Sequence, residues 1–170
     1  MPLPPMLKNS NLFHNGVSYA GKVAEVTIPK LARKFEGYRG GGMDGEIAID
    51  MGHDGLIEFE WKAGGHITEV YTGFGAVTHD AELLRWVGAY QDDGTGLYKT
   101  VEITVRGRHQ EIDPGTGKPG EKSEETIKTI ASYYKLTVDG AAIIEIDIPN
   151  LIFIVNGVDR LAELRAVLGI

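Results

Sequence analysis

The chain has 170 residues, of which 42% are hydrophobic and 24% are charged, and its formal net charge at pH 7 is −7. This is the composition of one ordinary globular domain, and its acidity argues against a protein that binds nucleic acid through a basic face. The sequence contains no cysteine, which excludes disulfides, thiolate zinc sites and a cysteine nucleophile.

The first half of the chain predicts strands. Polar and apolar residues alternate over 23–28, 46–51 and 56–62, and each pattern is typical of a half-buried strand with one polar face. No stretch approaches the roughly 20 apolar residues of a membrane span. The start, MPLPPMLKNSNLF, lacks the apolar run of a signal peptide. We therefore expect no membrane insertion.

A glycine-rich stretch, YRGGGMDGEIAID, places Gly40, Gly42 and Gly45 at the GxGxxG spacing of dinucleotide-binding proteins. Such a site needs a strand before the glycines and a helix after them, because the pyrophosphate sits on the helix N-terminus. Residues 46–51 instead alternate as a strand, so we expect no nucleotide there.

The segment from about 30 to 46 is predicted to be an extended loop or hairpin. It carries Phe35, Tyr38 and Met43 among charged residues, without an evident core face. Large apolar groups on such a loop are typical of a contact surface, unless they fold back onto their own domain.

The second half of the chain also predicts strands, over 83–91, 98–111, 125–138 and 142–148. The last two meet at Asp139-Gly140, a dipeptide typical of a two-residue hairpin turn. In 98–111 one face is apolar. The opposite face carries four polar residues: Glu102, Thr104, Arg106 and Arg108.

Helical signals are few. A short helix is predicted within 66–73, and a C-terminal helix is predicted to begin at Asn156 as its N-cap and to end at Gly169. We therefore predict a mainly β fold, an antiparallel β-barrel or sandwich with a short mid-chain helix and a C-terminal helix, in a single domain of residues 1–170.

No motif calls for catalysis, a cofactor or a metal. Glu58 and Glu60 share a strand face, as the paired carboxylates of a hydrolase do, but a solvated strand face is the commoner reason for such a pair. The five histidines are scattered and are predicted to be solvated rather than to bind metal. They are His14, His53, His66, His79 and His109.

A ligand-binding β-barrel for a small molecule is the alternative function. It needs a concave pocket with aromatic walls, which Trp61, Trp86, Tyr90 and Phe74 would supply. Core packing is the commoner role for these four residues.

Six short segments carry a resemblance to a known family, in order along the chain. They are Asn11-Leu12-Phe13, Ile28-Pro29-Lys30-Leu31, Tyr38-Arg39-Gly40-Gly41-Gly42-Met43, Glu111-Ile112-Asp113-Pro114-Gly115, Tyr133-Tyr134-Lys135-Leu136 and Asn156-Gly157-Val158-Asp159. The sequence resembles the major tail tube protein of contractile-tailed bacteriophages and of R-type pyocins over essentially its whole length.

The resemblance implies a structural protein and no enzyme. Its subunits would form hexameric rings that stack into a hollow tube inside a contractile sheath, in contact with tape-measure and baseplate proteins. The tube would be driven through the target envelope and would convey DNA as non-specific cargo in a phage. The protein would be made in the host bacterial cytoplasm and would act in the virion.

The resemblance also suggests contact residues. Those expected between subunits or stacked rings are Asn11, Leu12, Phe13, Phe35, Glu36, Tyr38, Arg39, Gly40, Gly41, Gly42, Met43 and Asp44. The face of Glu102, Thr104, Arg106 and Arg108 is the candidate for the channel lining, where an excess of carboxylates would keep DNA from sticking.

Overall fold

The computed structural model describes residues 1–170 and is 52% strand and 7% helix. The two helices are α1 (Thr68–Thr72) and α2 (Ala162–Leu168). The strands are β1 (Met6–His14), β2 (Val17–Ser18), β3 (Val23–Thr27), β4 (Arg33–Tyr38), β5 (Ile47–His53), β6 (Ile57–Ala63), β7 (Glu82–Gln91), β8 (Tyr98–Asp113), β9 (Glu125–Val138), β10 (Ala141–Asp147), β11 (Ile152–Val155) and β12 (Val158–Asp159).

Ten strands form one antiparallel sheet in the order β12-β11-β10-β9-β8-β7-β1-β2, and β6 pairs with both β9 and β3. The long strand β9 therefore holds two neighbours on one side, β6 along 125–131 and β10 along 133–138. Strands β4 and β5 form a separate two-stranded hairpin. The mainly β, antiparallel class predicted from the alternating patterns is confirmed.

The inner face of the sheet encloses one hydrophobic core. Trp61, Phe59 and Val70 are among its fully buried side chains. The two ends of the sheet meet through side chains, since the ring of Tyr19, just after β2, lies 5.7 Å from that of Trp61 on β6. The core thus has the barrel-like closure expected, without a closing strand pair. Neither helix has the length and apolar character needed to cross a membrane.

Local turn chemistry explains the connection between β9 and β10 and the end of α2. Asp139 and Gly140 have φ of 49° and 81°, as a type I′ hairpin turn requires, so this predicted turn is confirmed. The mid-chain helix predicted within 66–73 is α1, and Gly169, with φ of 73°, ends α2 as predicted.

The predicted start of the C-terminal helix is wrong. Asn156 and Gly157, with φ of 49° and 80°, form a second two-residue turn between β11 and β12, and α2 begins only at Ala162. Asn-Gly is the strongest short hairpin signal, and here it outweighs the N-cap preference of Asn. The helix also has no buried residue, so it does not pack into the core.

Candidate assembly surfaces

The β4–β5 hairpin exposes apolar side chains on both of its faces. Tyr38 lies opposite Ile47, with Ile49 next to it on the same face, and Phe35 lies on the other face. The exposed fractions of Phe35 and Tyr38 are 59% and 54%. An isolated two-stranded hairpin is marginally stable in water, so a hairpin with two apolar faces is an obvious place for another chain to bind.

One charged residue anchors the base of this hairpin. Arg33 donates from Nε to Asp50 Oδ2 at 3.0 Å, and its guanidinium lies 4.8 Å from the ring centroid of Phe153 on β11. The hydrogen bond from Arg33 is the main reason that the pKa of the Asp50 carboxyl is lowered. Beneath the base is an apolar hollow of about 390 Å³ between the hairpin, β10, β11 and α2.

The tip of the hairpin carries the glycine stretch. Strands precede and follow it, so the expectation that GxGxxG here serves no nucleotide site agrees with the local structure. Of the three consecutive glycines only Gly42 has a positive φ, 82°. Gly40 donates its N–H to the Met43 sulfur at 3.2 Å, which folds the tip back on itself.

The structure places most of the predicted hairpin contact residues at the surface. Gly40 and Met43 are half-buried in the tip. The others are exposed: Phe35, Glu36, Tyr38, Arg39, Gly41, Gly42 and Asp44.

Strand β1 has one unpaired edge. It pairs with β7 along its whole length, but β2 covers only Phe13 and His14 on the other side. The Leu12 carbonyl accepts from the N–H of Tyr19, so the backbone groups of Leu12 point away from β7. Alternation along the strand makes those of Ser10 point the same way. A free strand edge is a template for pairing with another chain.

The three predicted contact residues on β1 have different surroundings. Leu12 is 1% exposed in the core of its own subunit, so its side chain does not reach the surface at which a contact between subunits is predicted. Asn11 donates to Ser18 Oγ at 2.9 Å, and its Oδ1 is buried without a partner. Phe13 is half-buried on the outer face, under the guanidinium of Arg85 at 4.2 Å.

The candidate channel residues share the outer face of the sheet. Glu102, Thr104, Arg106 and Arg108 alternate along β8 with core-facing neighbours such as Ile103 and Val105. The register of β1, β7 and β8 aligns Phe13, Arg85 and Thr104 in one row across this face.

The charges on this face do not show the predicted excess of carboxylates. Glu102 is bound to Arg85 at 2.5 Å, and Lys135 lies between Thr104 and Glu145 in the register. With Arg106 and Arg108 nearby, both signs are interspersed. The expectation of a carboxylate-rich face came from the net charge of the whole chain, which does not report where the acids lie.

The aromatic residues of the alternative function form no ligand pocket. Trp61 and Trp86 are buried in the core, and Phe74 is 58% exposed. The apolar hollow under the hairpin contains neither tryptophan. Glu58 lies on the outer face and is paired with Lys128 at 3.2 Å, as expected for a strand face in solvent.

Two histidines are buried, contrary to the prediction that all five are solvated. His14 and His109 flank the buried carboxylate of Glu82 on the inner face of the sheet. The prediction failed because the sequence does not show which strand ends meet. Burial lowers the pKa of His109 to about 4, although Glu82 opposes the shift. Burial would raise the pKa of Glu82, but hydrogen bonds from His14 and Asn15 lower it on balance.

The fold resembles that of a chain from a contractile injection system. A chain of the sheath-tube complex of the extracellular contractile injection system PVC superposes with a TM-score of 0.60 at 9% identity, covering 79% of this chain and 91% of that one. At this identity the likeness concerns the fold alone.

The sequence defines the family more closely. Residues 4–169 match the family described as phage tail tube protein FII. The tail tube protein of Escherichia phage P2 is 45% identical over 100% of both chains. The major tail tube protein of Serratia phage KSP20 is 39% identical over 90% of this chain and 88% of that one.

The chain therefore belongs to the phage tail tube protein FII family. It is a structural subunit of a phage-type tail tube and not an enzyme. The resemblance found in six short segments is confirmed over the full length.

Proposed function

We propose that the protein assembles into hexameric rings and that these rings stack into the hollow inner tube of a contractile tail. The observation that carries this proposal is the unpaired edge of β1 in a member of a tail tube family. Pairing the edges of six copies satisfies their backbone groups and closes a larger barrel.

A contact between subunits, within a ring or between stacked rings, is assigned to the β4–β5 hairpin. It extends from the sheet as a separate element, and its apolar residues Phe35, Tyr38, Ile47 and Ile49 lie open to solvent in the isolated subunit. Burying such groups against a neighbour stabilises the contact by roughly 25 cal/mol for each Å² removed from water. The hairpin would reach either a neighbour in its own ring or the next ring.

The remaining partners follow from the place of a tube in a tail. A sheath would surround it, a tape-measure protein would set its length, and a baseplate would start its growth. In a phage the tube would cross the target envelope and convey DNA, with the polar outer face of β8 as the channel lining. The protein would be made in the host bacterial cytoplasm before joining the virion.

Imaging tests this proposal directly. Purified protein is examined by size-exclusion chromatography and negative-stain microscopy over a range of concentrations, and the native particle is examined by cryo-EM. We expect six-fold rings or tubes, with β1 paired to a neighbouring copy. A particle in which the β1 edge faces solvent, or in which the inner tube lacks six-fold rings, would contradict the proposal.

A further inference from the structure

Three adjacent strands bring two histidines and a carboxylate together inside the subunit. His14 ends β1, Glu82 begins β7, and His109 lies within β8. His14 is paired with Leu84 and Glu82 with Gly107, so the three side chains are diagonal neighbours on the inner face. His14 Nε2 lies 2.5 Å and His109 Nε2 lies 3.9 Å from Glu82 Oε2.

The cluster is closed to solvent. The side chains of His14, Glu82 and His109 are 3%, 7% and 0% exposed. The backbone of Gly73 lies against the carboxylate, since a Cβ at that position would come within 2.0 Å of Glu82 Oε1. Any side chain at position 73 would therefore clash with the carboxylate of Glu82.

Two hydroxyl groups, those of Tyr19 and Thr129, orient the two histidine rings. His14 Nδ1 lies 2.9 Å from the Tyr19 hydroxyl, and His109 Nδ1 lies 2.9 Å from Thr129 Oγ1. When each Nδ1 carries the proton and donates it to the hydroxyl oxygen, both Nε2 lone pairs point into the cluster. Fixing the tautomer through the other ring nitrogen is the usual arrangement at metal-bound histidines.

One of these nitrogens has no partner. His109 Nε2 is fully buried and makes no hydrogen bond. A buried polar atom without a hydrogen-bond partner destabilises the folded state. An ion pair between His14 and Glu82 accounts for the burial of these two residues, but it does not account for the buried Nε2 of His109.

We propose that His14 Nε2, Glu82 Oε2 and His109 Nε2 form a zinc-binding site. Two imidazole nitrogens and one carboxylate oxygen are a donor set that suits Zn²⁺. The three atoms lie within 4.8 Å of one another. Zinc bonds of about 2.0–2.2 Å bring tetrahedral ligand atoms to about 3.3 Å apart, a value between the two distances to Oε2.

Asn15 completes the surroundings of the site. It donates from Nδ2 to Glu82 Oε2 at 3.0 Å, with His14 Nε2 3.3 Å away, and its Oδ1 accepts from the N–H of Leu83. A carboxylate oxygen can bind a metal and accept this hydrogen bond together. A bound ion would tie β1, β7 and β8 to one another, and its binding free energy would add to the stability of the folded subunit.

Metal content of the refolded full-length chain is the first test. Because the site is buried, the chain is unfolded in urea with EDTA and refolded with Zn²⁺, with Mg²⁺ or with EDTA. After gel filtration we expect about one zinc per chain and a Tm about 5–10 °C higher with Zn²⁺ than with EDTA, at a concentration near 100 times the Kd. Refolding with Co²⁺ should give a visible absorption that the chain refolded with EDTA lacks. A folded wild-type chain with no bound zinc and an unchanged Tm would overturn the proposal.

Variants locate the ion. His109→Gln and Glu82→Gln should lose the zinc, the cobalt spectrum and the Tm shift, whereas His79→Gln should keep all three. His79 is the matched control because it is exposed and bonds Ser132 Oγ, away from the cluster. If His109→Gln retains zinc and spectrum, the site lies elsewhere and the proposal is wrong. If a variant does not fold, the zinc content and Tm of the wild-type chain still decide whether the protein binds zinc. None of these readouts depends on tube assembly.

Discussion

Gly41 and Gly42 lie side by side at the hairpin tip but have different reasons to be glycine. Gly42 has a positive φ of 82°, a conformation that costs other residues about 1–2 kcal/mol. At Gly41 φ is not positive, and a Cβ would meet nothing within 4 Å. The isolated subunit therefore needs glycine at 42 and tolerates other residues at 41.

Replacing Gly41 separates folding from assembly. We expect Gly41→Val to fold with a Tm close to that of the wild type but to form no tubes, because the added side chain obstructs the contact that the hairpin makes with a neighbour. Circular dichroism measures the folding and negative-stain microscopy the tubes. Gly117→Val is the matched control, since a Cβ there also meets nothing and its φ is not positive either. Normal tubes from Gly41→Val would rule out close contact at this residue.

Gly107 must be glycine for a third reason, which is that the backbone of β9 passes close to its Cα. A Cβ on Gly107 would lie 2.1 Å from the Ile130 carbonyl oxygen and 2.8 Å from Ala131 Cα. These are backbone atoms of β9 beside a β-bulge, so relief would need the two strands to move apart.

We expect Gly107→Ala to destabilise the subunit by about 1–3 kcal/mol, the range for overpacked positions. Urea unfolding followed by circular dichroism measures the change in midpoint. Gly117→Ala adds the same methyl group in open space and should leave the midpoint within error. Equal midpoints for Gly107→Ala and the wild type would show that β8 and β9 can separate at little cost.

At the scale of elements, β1 differs from the interior strands in having one open edge. The Ser10 N–H points to that edge and is bonded to Asn9 Oδ1 at 2.8 Å, so it makes no bond to β7. Proline at an edge removes an outward donor and is tolerated in the strand itself.

We expect Ser10→Pro to leave the subunit folded and to block ring formation, because the edge loses a donor and gains a ring in the path of the neighbouring strand. Size-exclusion chromatography of the variant should show only monomer. Ser10→Ala keeps the N–H and should assemble as the wild type does. Rings formed by Ser10→Pro would mean that β1 does not pair between subunits.

The sequence predicted the interior strands better than the edge strands, and burial explains the difference. β9 was predicted with its observed bounds, 125–138, because its inner residues alternate with its outer ones over its first half. β1 was missed because only Leu12 and His14 of its nine residues are buried. A strand that is mostly exposed shows no period-two pattern.

The buried cluster of His14, Glu82 and His109 was beyond sequence reasoning for a different reason. Its members lie on separate strands, with His14 and Glu82 68 residues apart. Only the register of β1 with β7 and of β7 with β8 brings them together. The one available signal was a glutamate at the start of a strand whose inner face is otherwise apolar.

At the scale of the whole molecule, the net charge of −7 and the charge on the proposed channel face differ. Glu102 is bound to Arg85 there, with Arg106 and Arg108 on the same strand. Acidic residues on that face are thus balanced by basic ones, and removing one carboxylate would shift the balance towards phosphate binding.

We expect Glu102→Lys to slow the passage of DNA through the tube, because it frees Arg85 and adds a second cation beside it. Ejection rates from complemented phage particles at low and moderate salt measure the effect, which should weaken as salt rises. Glu163→Lys, on the exposed surface of α2, makes the same change of charge elsewhere. An unchanged ejection rate would count against this face as the channel lining.

Strand β9 is shared by the β6 and β10 branches of the sheet, and this has a mechanical consequence. Because β6 and β10 both pair with β9, neither can detach without disturbing the strand to which the other is bonded. A force that pulls on β6 or on β10 is therefore transmitted through β9 to both. Such a subunit should unfold in a single cooperative transition, in which the fluorescence of the two buried tryptophans, Trp61 and Trp86, and the backbone circular dichroism change together. In a tube built from such subunits, mechanical load would unfold whole subunits and would not detach single strands from them.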